Sequence, residues 1–375
     1  MALNISSPVS KTLLSDFATT RDLLSDKDYI IVEGVITVLS VALAFVGVLG
    51  NAVSIITFVS MASKDGVTVT FLFTAAADLI YLVTVIAMGV SFLLLSVEVI
   101  SGYTIWFPVE PYGVYGFLAM SGRYPYEASN LATTCLSVAR CLCVAKPLLY
   151  RSSFTGNAAL CITLIFSVFS IACFTPVLAL MEMKVQYSNY INASRPSMWI
   201  SPTRETVKDV IWTVTDAFIP IATQVIIAFC VVVMNRSLKL ASEFRQKSYS
   251  GLTRRGKSSK HFAVARHSHA ITNSSYPNQR EAAGKLMSGK DLQVVQQVLL
   301  ISVIYIISNT PIIIINFAGM YNKEFALQRT YHNLFLSTIG VKHLFQTINS
   351  SFNIFIYFKY NTKFRHTLLQ VRGTP

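Results

Sequence analysis

Seven long runs of apolar residues, separated by polar stretches, dominate the chain: Ile30–Val59, Val67–Leu95, Gly113–Ala145, Ala158–Met181, Val207–Val233, Leu292–Tyr321 and Tyr331–Phe358. Each is long enough to cross a hydrocarbon layer about 30 Å thick, which takes about 20 helical residues. Backbone polar groups find no water in that layer, so each run predicts a helix that satisfies its own hydrogen bonds. The third run is the least apolar, carrying Arg123, Glu127 and Arg140. A segment that polar is stable in a bilayer when neighbours surround it, so it is predicted to be the central helix. The expectation is an all-α membrane protein, a seven-transmembrane helix bundle over residues 30–358.

The polar stretches set an orientation. Between Asn235 and Lys290 stand twelve lysines and arginines against two acids, Glu243 and Glu281. Lys146 and Arg151 follow the third run, and Lys359, Lys363, Arg365 and Arg372 follow the seventh. The loop after the second run holds Glu98 and Glu110 and no basic residue before Arg123. Basic loops stay in the cytoplasm, so residues 1–29 are predicted outside as a tail and 359–375 inside. The loop 234–290 is rich in Ser, Gly, Lys and Arg and predicts a disordered middle between helical margins. The sequons at Asn4 and Asn192 fall outside and are candidate glycosylation sites.

Composition agrees: 53% of residues are hydrophobic and 13% charged, where a soluble domain carries about 25%. A net charge of +13 might suggest nucleic acid, but the basic residues lie in loops between apolar runs, so no nucleic-acid partner is expected. The six cysteines, Cys135, Cys141, Cys143, Cys161, Cys173 and Cys230, all lie within apolar runs, so no disulfide framework and no metal cluster is predicted.

A series of short motifs falls in order on these helices: Gly50-Asn51 on the first, Ala75-Ala76-Ala77-Asp78-Leu79 on the second, and Ser137-Val138-Ala139-Arg140-Cys141 with Pro147-Leu148 at the end of the third. Pro220 and Pro311 stand on the fifth and sixth, and Asn353-Ile354-Phe355-Ile356-Tyr357 closes the seventh before Phe358–Arg365. In this order they resemble the rhodopsin-like G-protein-coupled receptors along essentially the whole chain. Lys64–Thr70 is similar in style to divergent receptors called chemosensory in gastropod molluscs. The resemblance implies a short amphipathic eighth helix after Phe358, a heterotrimeric G protein as partner, and a small-molecule or peptide ligand on the outer side. It also implies a multi-pass plasma-membrane location. Several positions depart from the pattern. Ala139 and Cys141 flank Arg140, Ile354 replaces a proline, Asn309 stands in place of a tryptophan two residues before Pro311, and both outer cysteines are missing.

Three constellations are candidates for function. Asp78 is an acid at mid-membrane depth and needs a partner or a cation. The resemblance places it in a sodium site with Ser129, Asn349, Ser350 and Asn353, against which stands a polar network without an ion. Arg123 and Glu127, four apart on one helical face, join Asp216, Lys342 and His343 in the outer half of the bundle. Charges facing a bundle interior mark a ligand path, or form a salt-bridge set among themselves, Arg123 with Glu127 for instance. Their mixture of signs suits a zwitterion such as an amino acid or short peptide. Arg140, with Tyr357, is implied to act at the G-protein end. An acid on the sixth helix, Asp291, is positioned either to lock Arg140 in the resting state or to cap its own helix.

The chain shows no phosphate-binding glycine loop, no His-rich metal pattern and no paired nucleophile and base, so no catalytic residues and no cofactor beyond a sodium ion are expected. The function predicted is a receptor, chemosensory in the sense of its resemblance, that turns an outer ligand into G-protein activation. A neuropeptide receptor and a polytopic transporter are its rivals. No internal repeat of the transporter kind relates the first three runs to the last three.

Overall fold

A computed structural model describes residues 24–61, 65–145, 150, 154–189, 191–258, 289–322, 324–325 and 329–373, without side chains at 26–27, 205, 209, 238, 240–258, 289–295, 320 and 372–373. The first span is one helix, Asp26–Ser60, begun by Ser25, whose Oγ accepts from Asp28 N at 3.3 Å. The second is Gly66–Ile100 and the fourth Gly156–Ala179, the latter capped by Thr155 accepting from Ala158 N. In the first and fourth, a side-chain oxygen thus takes up one of the N–H groups that the helix itself leaves unpaired at its start.

The other four spans are interrupted, and the interruptions lie where the chemistry does. The third is Pro111–Ser121 and Arg123–Ala145, broken at Gly122. Pro125 has no N–H to give the carbonyl of Ser121, four residues back, which weakens the helix at that turn. The fifth comprises Arg204–Trp212, a π-helical turn Thr213–Phe218, and Ile219–Ser258. Pro220 likewise cannot donate to the carbonyl of Asp216, and that carbonyl accepts instead from Asn316 Nδ2 of the sixth span. The sixth, Gly289–Tyr321, contains Pro311. The seventh is His332–Ser351 and Asn353–Tyr360, followed by a separate helix Thr362–Gly373 whose first turn is held by Asn361 Oδ1 accepting from Phe364 N at 3.0 Å.

The polarity of the bundle is inside out relative to a soluble protein. Val38, Leu49, Ile165, Val168 and Phe229 are 64–69% exposed, whereas Thr57, Ser137, Gln297 and Ser350 are fully buried. Apolar residues facing outward and polar ones inward is the distribution a lipid surround favours. Among the described residues six helices are long and apolar enough to cross a membrane. The seventh span is not among them, since it carries Lys342, His343, Gln346 and Asn349 on its bundle side. The third span is the central one: 56% of its most apolar window is buried, against 22–39% for the other five. It packs on the second, fourth, fifth and sixth spans, while the first packs on the second and seventh.

The bundle is all-α as expected, with one addition outside it: Met181–Ser188 (β1) and Ala193–Ile200 (β2) form an antiparallel hairpin, in register from Met181 opposite Ile200 to Ser188 opposite Ala193. The fourth span therefore stops at Ala179, and Met181 begins a strand rather than ending a helix. At the opposite end of the bundle, Phe58, Phe71, Leu136, Val298, Tyr357 and Phe364 form a buried apolar cluster. Tyr357 meets Phe71 at 4.9 Å and Phe58 at 5.2 Å between ring centres, and Phe364 fastens the last helix to them. The close first–seventh contact needs a glycine: a Cβ on Gly50 would lie 2.8 Å from Ile354 Cγ2. The middle of the basic loop and Asn4 lie outside the described residues.

Candidate ligand cavity and the polar column beneath it

The hairpin is bound to one end of the bundle without a covalent staple; all six cysteines are free. Arg195 of β2 makes a two-pronged ion pair with Glu98 at the end of the second span, Nη1–Oε1 2.5 Å and Nη2–Oε2 3.2 Å, and both are buried. Glu98 Oε1 also accepts from Phe107 N at 2.9 Å, and Arg195 Nη1 donates to Phe107 O at 3.2 Å, tying in the loop between spans. Glu110 adds a further clasp: its N donates to Pro196 O at 3.0 Å, and its Oε2 accepts from Met198 N at 2.9 Å. Burial pushes the Glu110 carboxyl above its usual range, against the pull of the Met198 N–H and of Arg195. Gly113 leaves room for the hairpin, since a Cβ there would lie about 3.0 Å from Met183 Sδ. Asn192, at a positive φ of 51° near the tip, is exposed, as a glycosylation acceptor must be.

Below this cover lies a cleft holding about 490 Å³ of unoccupied space, part of it open to the outside. Four of the charged residues expected to bind ligand line it: Arg123, Glu127, Asp216 and Lys342, with His343 beside them. Their pairing differs from the local pairing expected of Arg123 and Glu127. The π turn presents Asp216 to the bundle, and Arg123 forms its ion pair with Asp216 across the spans. The guanidinium also faces the rings of Phe174 and Trp212, 4.9 and 5.3 Å away. Lys342 stands 3.6 Å from the other oxygen of Asp216. Glu127 is buried beside them, within reach of the charges of Arg123 and Lys342, and its Oε1 receives no hydrogen bond.

The floor of the cavity is a chain that the motif reading missed. Tyr126 donates to Asn309 Oδ1 at 3.2 Å, and Asn309 donates to its own helix at Tyr305 O. Tyr126 packs on Tyr81 at 5.1 Å, and Tyr81 reaches Gln346 Oε1 at 3.4 Å. A polar contact between the third and sixth spans thus occupies the place of the absent tryptophan. Two further pairs bind the sixth span, Thr223 Oγ1 with Tyr305 OH at 2.9 Å and Ser137 Oγ with Ser302 Oγ at 2.8 Å. The signal for these was visible as polar residues inside apolar runs, but not which would meet.

Deeper still, Asp78 is 1% exposed. Its Oδ1 accepts from Ser129 Oγ at 2.8 Å and Ser350 Oγ at 2.9 Å, and its Oδ2 from Asn353 Nδ2 at 2.8 Å. Asn349 is half-buried and makes no hydrogen bond to Asp78, so it drops out of the expected set. One carboxylate and two hydroxyl oxygens converging on a point are hard ligands with a single negative charge, which fits a monovalent cation in kind. Asn51 joins the first span to the same level by donating to Ser350 O at 2.9 Å.

At the far end Arg140 is half-buried, and its Nε has no hydrogen-bond partner. Its charge reaches Tyr150, whose hydroxyl is pushed up by burial while Arg140 pulls it down. Asp291 belongs to the sixth span, but its side chain lies outside those described, and so does the proposed lock. Tyr357, expected beside Arg140 in the coupling machinery, is buried in the aromatic cluster described above.

No curated protein matches the chain. Residues 41–255, more than half of it, match the family described as "Serpentine type 7TM GPCR chemoreceptor Srx". That stretch runs from the first span through the fifth and includes Asp78, the Arg123–Asp216 cavity and Arg140. A cavity under an outer cover, a polar column through the bundle and an arginine at the opposite end are what a receptor requires, and the chain belongs to the Srx family of serpentine seven-transmembrane GPCR chemoreceptors.

Proposed function

We propose that an extracellular ligand enters beneath the β1–β2 hairpin, settles among Arg123, Glu127, Asp216 and Lys342, and shifts the bundle between two arrangements that a heterotrimeric G protein reads at Arg140. The observation that carries this reading is continuity. The cavity floor is Tyr126–Asn309, the contact between the third and sixth spans, and the Asp78 network lies directly below on the second, third and seventh. A ligand that favours one arrangement of the cavity therefore biases contacts between the spans that must move. In this reading the N-terminus is extracellular, the C-terminus cytoplasmic, the membrane the plasma membrane, and Asn4 and Asn192 carry glycans. The receptor works on the rhodopsin-like plan, with the gastropod likeness of Lys64–Thr70 as a secondary kinship, and performs no chemistry of its own. When sodium is bound, Asp78, Ser129 and Ser350 would hold it, and its charge would balance the carboxylate. The narrow cavity favours a small molecule over a neuropeptide.

The test is Arg140→Ala in the full chain, expressed with a promiscuous G protein as reporter and screened against a ligand library. Wild type should respond to a ligand that gives no signal through the variant at equal surface level. Equal responses from the two would remove Arg140 from coupling.

A further inference from the structure

The mixed charges of the cavity suit a zwitterion while they are counted from the sequence, and the pairings change that count. Both cations go to one acid: Arg123 pairs with Asp216 and is held between Phe174 and Trp212, and Lys342 faces the other oxygen of Asp216. In the first void the buried side-chain atoms left without a hydrogen bond are two oxygens, of Glu127 and Asn130, and the ring nitrogen His343 Nδ1. Glu127 is 7% exposed and its Oε1 receives no hydrogen bond; Asn130, three residues on and on the same helical face, is 5% exposed and its Oδ1 receives none. Both side chains line the void. A second void of about 340 Å³ shares Met88 and His343 as walls with the first, and there Glu33 is 5% exposed with Oε2 likewise without a donor. Around the two voids three carboxylates, Glu33, Glu127 and Asp216, thus stand against two fixed cations, Arg123 and Lys342.

Buried acceptors without donors are costly, and an acid so placed is stable when a donor or a positive charge comes to it. A protonated amine brings three N–H donors, a positive charge and no acceptor. Met88, Phe174, Ile312 and Tyr81 give the void apolar and aromatic walls beside the polar Thr215, Asn309, His343 and Gln346. From these contacts we infer that the cavity takes a small monoamine with an apolar or aromatic body, its ammonium received by Glu127 Oε1 and Asn130 Oδ1. Among the described residues that line the voids, the lysine and the arginine, Lys342 and Arg123, both face Asp216, so the amine, and not the amino acid, is the ligand class. The inference rests on the receptor reading above in taking this cavity as the ligand seat.

The full-length receptor, purified in detergent micelles, is titrated with 2-phenylethylamine, phenylalanine and 3-phenylpropionate, and thermal stabilisation is read for each. 2-Phenylethylamine should stabilise wild type, and the two carboxylates should not. Glu127→Gln keeps the shape and removes the charge; it should weaken the amine by about ten- to hundredfold, the range for a hydrogen bond to a charged group. Glu127→Asp should retain a measurable part of the affinity, and Asn130→Leu should lose about tenfold, as loss of one charged hydrogen bond predicts. Stabilisation by either carboxylate in preference to the amine, by none of the three probes, or amine affinity within twofold of wild type in a folded Glu127→Gln overturns the proposal. Because the readout is binding, it separates the two ideas. Amine binding without a G-protein response leaves this inference standing and sinks the coupling assignment; a signalling receptor that answers acids alone does the reverse.

Discussion

At the scale of single residues, the decisive feature is which polar atoms found partners. Arg123 and Glu127 share a helical face four residues apart, and that spacing makes them look like a pair. The arginine instead bonds Asp216, because Pro220 and the π turn aim the fifth span's acid inward. Sequence spacing cannot see a partner on another helix, so the cluster's membership was legible and its pairing was not. Asp78 was legible in both respects except for Asn349. The helix break at Phe352 sets Asn353 with Ser350, and not Asn349, toward the acid. Asp78 carries three hydrogen bonds, so Asp78→Ala strands two hydroxyls and an amide in a buried place, at roughly 1–3 kcal/mol each before they relax. The melting temperature of that variant should fall measurably. A cation bound to the folded state should raise the wild-type melting temperature in sodium chloride over choline chloride at equal ionic strength. Asp78→Asn should abolish that difference; an equal difference in variant and wild type would rule out a sodium site at Asp78.

Elements were legible in proportion to how one-sided their surroundings are. The first, second and fourth spans present long apolar runs to lipid, and their observed limits follow the runs closely at most ends. The hairpin was missed, although Met181, Met183, Val185 and Tyr187 alternate with Glu182, Lys184, Gln186 and Ser188 at strand period. The run lies outside the seven apolar windows, for which alone the sequence predicts elements. Its attachment could not be read at all, since Glu98 and Arg195 are far apart in sequence. That pair does what a disulfide would do, in a form that a single substitution undoes. Removing one partner of a buried pair leaves the other charge uncompensated, at about 3–5 kcal/mol. Glu98→Ala should therefore lower stability and surface level strongly, and Arg195→Ala on top of it should add less than it costs alone. Strict additivity would show that the two do not act together. Glu110 gives the same joint a pH dependence. Its carboxyl titrates above the usual range in the docked hairpin, so protonation favours docking. The stability it contributes is present below the ordinary carboxylate range and is lost as pH rises through the raised value. Hydrogen exchange of residues 181–200, corrected for intrinsic rate, should show firmer protection at mildly acidic than at neutral pH. Glu110→Gln should flatten that trend, and a trend unchanged by the substitution would assign it elsewhere.

For the whole molecule the question is what keeps the inner end closed when no ligand is present. The outer half is held by charge: Glu98 to Arg195, and Arg123 and Lys342 to Asp216. The middle is held by neutral hydrogen bonds, Tyr126 to Asn309 and Ser137 to Ser302, each weak enough to exchange when the sixth span moves. At the end of the bundle where Arg140 lies, the seventh span and the final helix are fixed by the Tyr357–Phe364–Phe58 cluster, which also takes in Val298 of the sixth span. Arg140 has Ala139 in place of a neighbouring acid, and its Nε is unbonded. A resting receptor whose arginine lacks a local partner depends on the sixth span itself, and Asp291 at the start of Gly289–Tyr321 is the acid that span offers. If it bonds Arg140, then removing it shifts the two-state balance toward the signalling arrangement. A contact of 1.5–3 kcal/mol, usual for a charged hydrogen bond, corresponds to about a ten- to hundredfold change in that balance. Asp291→Ala should then raise ligand-free signalling at equal surface level, and Asp291→Ala with Arg140→Ala should return it to background, since the signal passes through the arginine. An acid that merely caps its helix gives a different result: Asp291→Ala lowers stability, Asp291→Ser restores it because serine also caps, and ligand-free signalling stays at the wild-type level throughout.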